Sequence, residues 1–300
     1  MDRFLAMQVF VAVAEEQGFA TAARRLALSP PAVTRTISAL EQRLGVTLLQ
    51  RTTRIVRLTD AGARYLIDCK RLLSDVEDAE QSLSGAQGEL RGLLSITGSV
   101  MFGRLFVAPL LLEFLERHPK VTGRALLVDR VVDLIEEGLD VGVRIARLQD
   151  ASFTAIRVGA VRFVVCASPA YLKQHGVPRT PRDLSEFSAV SFSPDRVGPA
   201  WNFEVGKQTV SVRPSVRLVV NNADGAVQAA VAGAGVTRML SYQAAAEVKA
   251  GRLRVILAEF EPEPVPIHVI HREGKHAAAR VRAFVDFAVA QLRANPLLRA

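Results

Sequence analysis

From Leu93 onward the chain stops reading as helices and begins to alternate, and this change of period constrains the fold more than any other feature. Extended runs such as "LLSITGS", "GRALLVD", "DVGVRIA", "VRLVVNN" and "VPIHVIHR" are interleaved with helical ones. The helical runs are "FGRLFVAPLLLEFLERHP", "VVDLIEEG", "ADGAVQAAVAGA" and "AARVRAFVDFAVAQLRA". Strands alternating with helices predict an α/β unit with largely parallel sheets. "AIRVGAVRFVVCAS" reads as one long extended segment in its middle. With 300 residues, 49% of them hydrophobic, the chain divides into two or three folding units, each able to bury a core.

Before the change, three helices follow one another with short connections: "LAMQVFVAVAEEQ", "TAARRLAL" and "SPPAVTRTISALEQRLG". The third opens on two prolines. Ser29 is placed to cap it, and Pro30 and Pro31 take the first two helical positions, where an amide has no intrahelical partner to lose. Val33, Ile37, Leu40 and Leu44 recur at helical spacing and predict the buried face. Pro31, Arg35, Ser38 and Gln42 fall on the opposite face, with Thr34 on its flank, and no acid is among them. Short neutral and basic side chains at the leading end are what a helix needs to reach base edges in a major groove. The alternative is an ordinary solvated stripe. "LLQRTTRIVRLT" next predicts a short hairpin carrying Arg51, Arg54 and Arg57, with no acid between Glu41 and Asp60. Such a hairpin suits contact with phosphates. The net charge of +8 points the same way, toward double-stranded DNA as a partner.

Thr59 is placed as the N-cap of a long helix running to about Gly85 or Gly88. Within it Tyr65, Cys69, Leu72, Val76, Ala79 and Leu83 are spaced 4, 3, 4, 3, 4, a heptad seam that predicts helix–helix pairing between two copies. A homodimer or homotetramer follows, and with it an imperfectly palindromic DNA site.

The run "FVAVAEEQGFATAARRLALSPPAVTRTISALEQRLGVTLLQRTTRIVRLTDAG" resembles the winged helix-turn-helix of LysR-type transcriptional regulators. The Ala-Ala-x-x-Leu helix, the Ala-Val-Thr-Arg segment, the Leu-Glu-x-x-Leu-Gly continuation and the Leu-Thr-x-Ala-Gly entry to the long helix carry the likeness. "GLLSITGSVMFGRLFVAPLL", "LDVGVRIA", "VCASPAYLKQHG" and "AGAGV" are similar to that family's effector domain, in the same order. The resemblance implies a winged helix-turn-helix over 1–60, a linker and dimerisation helix over 61–90, and an effector-binding domain over 91–300. That last domain is implied to be two Rossmann-like lobes resembling periplasmic binding proteins, 91–164 with 265–300, and 165–264. Five residues depart from the family pattern. Pro30 and Thr36 stand where glutamines are common, Gly18 replaces a capping serine, and Thr237-Arg238 interrupts the usual Gly-Ile-Ala-x-Leu-Pro.

In two-lobed α/β folds, ligands bind at the carboxyl ends of strands near helix N-termini. Ser99 follows the strand "LLSIT" and is predicted to cap the next helix and to offer its hydroxyl and nearby amides to an anionic ligand. The resemblance implies the same role for Ser99. Arg144 is read at the end of a second strand and Thr237-Arg238 at the end of a strand in the other lobe. The predicted effector is therefore a small carboxylate.

Catalytic chemistry is not predicted. His268 and His271 lie three positions apart on a strand, hence on opposite faces, and with His276 form no metal-binding spacing. Gly233-Ala-Gly235 has no dinucleotide-binding context. No cofactor or metal is expected. Cys69 and Cys166 sit in apolar surroundings that predict inert thiols. Two alternatives remain: a thiol-based sensor, and an α/β binding protein or enzyme whose helical N-terminus serves assembly alone. With no secretory leader pattern and no apolar run long enough to span a bilayer, a cytoplasmic protein is expected, with no membrane partner.

Overall fold

A computed structural model describes residues 2–51, 56–83, 89–148, 153–192, 200–271 and 277–300. The chain divides into two compact units, Met1–Leu93 and Leu94–Ala300.

The first unit contains α1 (Arg3–Glu16), α2 (Phe19–Arg25), α3 (Pro30–Leu44), the hairpin β1 (Leu49–Arg51) and β2 (Val56–Leu58), and α4 (Asp60–Leu83). Ser29 caps α3 as expected: its hydroxyl accepts a hydrogen bond from the Ala32 amide at 3.3 Å, and the two prolines follow it. Gly45 ends α3 in the left-handed conformation, at φ 68°. Val33, Ile37 and Leu40 join Val9, Phe10, Val13 and Ala22 in one buried core. The small Ala22 and Ala23 let α2 approach its neighbours.

α4 begins where Thr59 bonds in two directions. Its hydroxyl accepts the Gly62 amide at 2.9 Å and donates to the Thr47 carbonyl at 2.8 Å. The first turns of α4 pack on α1, with Cys69 fully buried and the Tyr65 ring 5.4 Å from Phe10. The seam predicted along this helix is thus divided. Tyr65 and Cys69 do not face outward; they are taken up by the chain's own core, because the helix starts against α1 and its apolar stripe meets that surface first. Leu72 and Val76 stay exposed, at 42% and 39%. Ala79 and Leu83 continue the helix, and their side chains lie outside the described residues.

The second unit opens with β3 (Gly92–Gly98). A continuous helical rod follows: α5 (Val100–Phe102), a π turn at Gly103–Val107, and α6 (Ala108–Arg117). Then come β4 (Val121–Leu127), β5 (Val141–Ile145), β6 (Thr154–Val161), β7 (Phe163–Ala167), α7 (Pro169–His175) and β8 (Ser188–Phe192). β9 (Trp201–Val205) and β10 (Gln208–Val212) form a hairpin of their own. β11 (Ser215–Val220), α8 (Ala223–Val231), β12 (Val236–Leu240), α9 (Ser241–Lys249), β13 (Arg254–Ile256), β14 (Val265–His271) and α10 (Ala279–Ala294) complete it.

Two five-stranded sheets result, in the orders β4-β3-β5-β14-β6 and β11-β8-β12-β7-β13. The first lobe draws its strands from both ends of the unit, and the second is built from the chain between them. The predicted long extended segment is two strands, β6 and β7, in different sheets, with Arg162 alone between them.

The sheets are mixed, which corrects the expectation of largely parallel ones. β3 pairs parallel with β5 and β8 with β11 and β12, but β14 runs antiparallel to β5 and β6, and β7 antiparallel to β12 and β13. The reason is topological: the chain crosses to the second lobe through β6–β7 and returns through β14, so the two crossings run in opposite senses.

The helix predicted at "VVDLIEEG" is instead a single turn. The Asp133 carboxylate accepts the amides of Ile135 and Glu136, at 2.6 and 3.1 Å, and Gly138 adopts φ 62°. Val132, Leu134 and Leu139 are buried against Ile270, so their spacing serves a loop pinned to a sheet.

Candidate nucleic-acid interface and effector site

On α3, Pro31, Arg35, Ser38 and Gln42 are all exposed and Thr34 is half-buried at their flank, while Val33, Ile37 and Leu40 face the core. Ser29 is exposed at the helix start, its hydroxyl engaged in the cap. The hairpin beside α3 is held in place by Glu41, whose Oε1 accepts the amides of Leu48 at 2.8 Å and Leu49 at 3.0 Å. That carboxylate fixes where β1 starts relative to α3. Arg51 ends β1 opposite Val56, and Arg57 is exposed opposite Gln50. Arg54 and the side chain of Arg51 lie outside the described residues.

In the second unit, side chains from both lobes meet around Tyr242, in the first turn of α9. Its ring lies 5.4 Å from Phe102 and 5.7 Å from Phe106, both edge-on, and it is 3% exposed. Burial pushes the Tyr242 hydroxyl up to about 12; Ser99 and Gln243 oppose that shift, and the charges of Asp129 and Asp224 add to it. Beside this cluster Arg104, on the π turn, pairs with Asp224 on α8 at 2.6 Å. π turns inserted in α-helices recur at functional sites.

Ser99 occupies the N-cap position of the helical rod, yet its hydroxyl makes no cap bond. The Val100 amide donates instead to the Asp129 carboxylate, at 3.0 Å. This corrects the capping role predicted for Ser99, and it means that the protein's own carboxylate already sits on the first amide of the helix. The Ser99 Oγ is buried and completes no hydrogen bond, although it interacts with the Tyr242 hydroxyl.

The other predicted effector residues lie elsewhere. Arg144 is the last residue but one of β5, and its Nη2 donates to the Val132 carbonyl of its own lobe. Burial lowers its pKa, and Asp133 opposes that shift. Thr237 and Arg238 do not end β12; they are its second and third residues, because the strand starts at Val236, directly after Gly235. A Cβ on Gly235 would come 2.1 Å from the Ser188 carbonyl oxygen, so only glycine admits this close entry. The true strand end leads into Ser241 and Tyr242.

Strand neighbours point to opposite faces. Thr237 is 0% exposed beside Cys166 and Val190, its Oγ1 without a hydrogen-bond partner. Arg238 points the other way and is half-buried, its guanidinium 4.3 Å from the centre of the Phe163 ring and 5.8 Å from that of Phe203. Desolvation pulls its pKa down to about 10.

Sequence reading missed Phe102, Phe106, Asp129 and Tyr242. The rule that ligands gather at strand carboxyl ends would have found Tyr242 had the end of β12 been placed correctly.

The thiols are not poised for reaction. Burial pushes Cys69 up to about 11 and Cys166 up to about 12, whereas a reactive thiolate needs a depressed pKa. Among the described residues no group of three or more His, Cys, Asp or Glu could hold a metal ion, and no helix is long and apolar enough to cross a membrane.

Known proteins match the chain at both ends. Residues 4–63 match the family model described as bacterial regulatory helix-turn-helix protein, lysR family, and residues 87–293 match the LysR substrate binding domain. The chain is 33% identical over 298 residues to the HTH-type transcriptional repressor PA14_22550 of Pseudomonas aeruginosa strain UCBPP-PA14, covering 99% of this chain and 94% of that protein. It is 33% identical over 289 residues to the HTH-type transcriptional activator AaeR of Escherichia coli strain K12, covering 95% and 93%. Among solved structures, CrgA, a LysR-type transcriptional regulator from Neisseria meningitidis, superposes with a TM-score of 0.63 at 29% identity, covering 97% of this chain and 99% of that one. Members of this family regulate transcription and are not enzymes, in keeping with the helix-turn-helix and the two-lobed domain described above. The chain belongs to the LysR family of bacterial transcriptional regulators.

Proposed function

We propose that this regulator reads DNA through the exposed face of α3, with Arg35 and Ser38 reaching base edges, Ser29, Pro31, Thr34 and Gln42 framing the contact, and Arg51 and Arg54 of the wing on phosphates. Two copies pair through Leu72 and Val76 of α4, alone or as a dimer of dimers, in the cytoplasm where the chromosome lies. A small anionic effector binds between the lobes beside Ser99 and Tyr242 and shifts the lobes against each other. Arg144 holds the Val132 turn that backs this lobe, and Thr237 lies deeper in the second lobe.

The observation that carries the DNA reading is the acid-free, exposed row Pro31, Arg35, Ser38 and Gln42 on a helix whose opposite face carries the buried Val33, Ile37 and Leu40. Arg35→Ala and Ser38→Ala are expected to weaken binding to the operator by about 1–3 kcal/mol each, and binding to random DNA far less. Arg51→Ala weakens both equally and flattens the salt dependence by about one unit. Fluorescence anisotropy across a salt series measures all three. Equal losses on both DNAs for Arg35→Ala would remove it from the base contacts.

A further inference from the structure

Arg238 is a partly desolvated cation with no carboxylate beside it among the described residues. Among the described residues its side chain makes one hydrogen bond, donating to the Asn202 carbonyl at 3.2 Å. Its other neighbours are the ring of Phe163, over which the guanidinium lies at 4.3 Å, and the ring of Phe203. Removing a cation from water without a counter-ion is unfavourable, and aromatic faces offset only part of that. A guanidinium carries five N–H donors in a rigid planar fork, of which this contact uses one. Because the side chain is only half-buried, the remaining donors keep a route outward.

The other anion seat suggested by the sequence is taken: the Val100 amide is held by Asp129 at 3.0 Å. Asp224, the second carboxylate near Tyr242, is paired with Arg104. With Asp129 on its first amide, the helix start leaves the ligand's negative group no seat of its own, whereas the guanidinium in the second lobe has no carboxylate partner among the described residues.

We propose that Arg238 is the receptor for the effector's anionic group, a planar carboxylate that takes the open edge of the guanidinium fork while Phe163 and Phe203 fix the plane of that fork. Charge-assisted, two-pronged pairing of this kind is the strong form of carboxylate recognition. The inference rests on the effector reading above and names the residue that confers the preference for an anion.

The test is thermal unfolding of the full-length protein with benzoate, a flat carboxylate, and with benzamide, its neutral counterpart. Benzoate is expected to raise the midpoint of the wild type and benzamide is not. Arg238→Leu abolishes the benzoate shift, and Arg238→Lys, which keeps charge but loses the fork, weakens apparent affinity by roughly ten- to a hundredfold. Arg238→Leu alone should unfold at or above the wild-type midpoint, since an apolar side chain suits the Phe163–Phe203 surroundings; that separates lost binding from lost folding. A benzoate shift that persists in Arg238→Leu overturns the proposal, as does a wild type that answers neither benzoate, acetate nor sulfate. Ser99→Ala separates the two readings. If the shift survives there and vanishes in Arg238→Leu, the receptor stands and the cleft beside Ser99 is not the effector site. The reverse pattern keeps the cleft and removes the receptor.

Discussion

Cys69 and Cys166 titrate, in the folded chain, near 11 and 12 because burial disfavours the thiolate. In the unfolded chain they titrate near 9, so between pH 9 and 11 the unfolded state has released protons that the folded state still holds. Stability is therefore full below about pH 9 and falls as pH rises, by about 1.4 kcal/mol per unit for each thiol. Urea titrations at pH 8, 9 and 10 should show this decline, and Cys166→Ala should flatten it; an unchanged slope would mean that this thiol is not buried. Native protein should also react slowly with iodoacetamide at neutral pH. The thiols' character was legible from their apolar neighbours. The directions of Ser99 and Arg144 were not, because those depend on Asp129 and on Val132, partners some thirty and twelve residues away that no local pattern reveals.

At the scale of elements, α3 was readable except in its last turn, where Leu44, expected on the buried face, is 39% exposed; its caps, prolines and the rest of its apolar spacing lie within its own sequence. α4 was readable as a helix but not as a surface. Its heptad spacing is regular, yet the first half packs on α1, and among the described seam side chains Leu72 and Val76 are left exposed beyond it. A charge on an apolar seam between helices has no partner and is strongly unfavourable. Val76→Asp is therefore expected to separate the paired copies while leaving the folded unit intact, since Val76 lies beyond the contact with α1. Light scattering together with circular dichroism checks both parts; a variant of unchanged mass places the pairing elsewhere. The turn at Val132–Leu139 misled for the opposite reason. Asp133 can cap a helix, but here it closes one turn, and the sheet claims the apolar residues that would have lined the helix.

At the scale of the whole molecule, pairing two copies about a two-fold axis predicts two inverted half-sites, one helical turn or a multiple apart, about 10–10.5 base pairs per turn. Footprinting on a bound promoter should show that spacing; a single unrepeated contact would contradict two-fold recognition. The two-lobed architecture was legible from the alternation of strands and helices and from the family resemblance. The sense of the strands was not, because direction follows from the order in which the chain crosses between lobes. That crossing also has a consequence for how the protein is made. β6 has a single neighbour in its sheet, β14, and β14 is synthesised about a hundred residues later. The second lobe, built from contiguous chain, can close while the first still lacks its inner strand and α10. At ribosomal speeds that interval lasts on the order of 5–20 s. During it, β5 and β6 both present open backbone edges, so the nascent first lobe is the part of this chain that most needs a chaperone's cover.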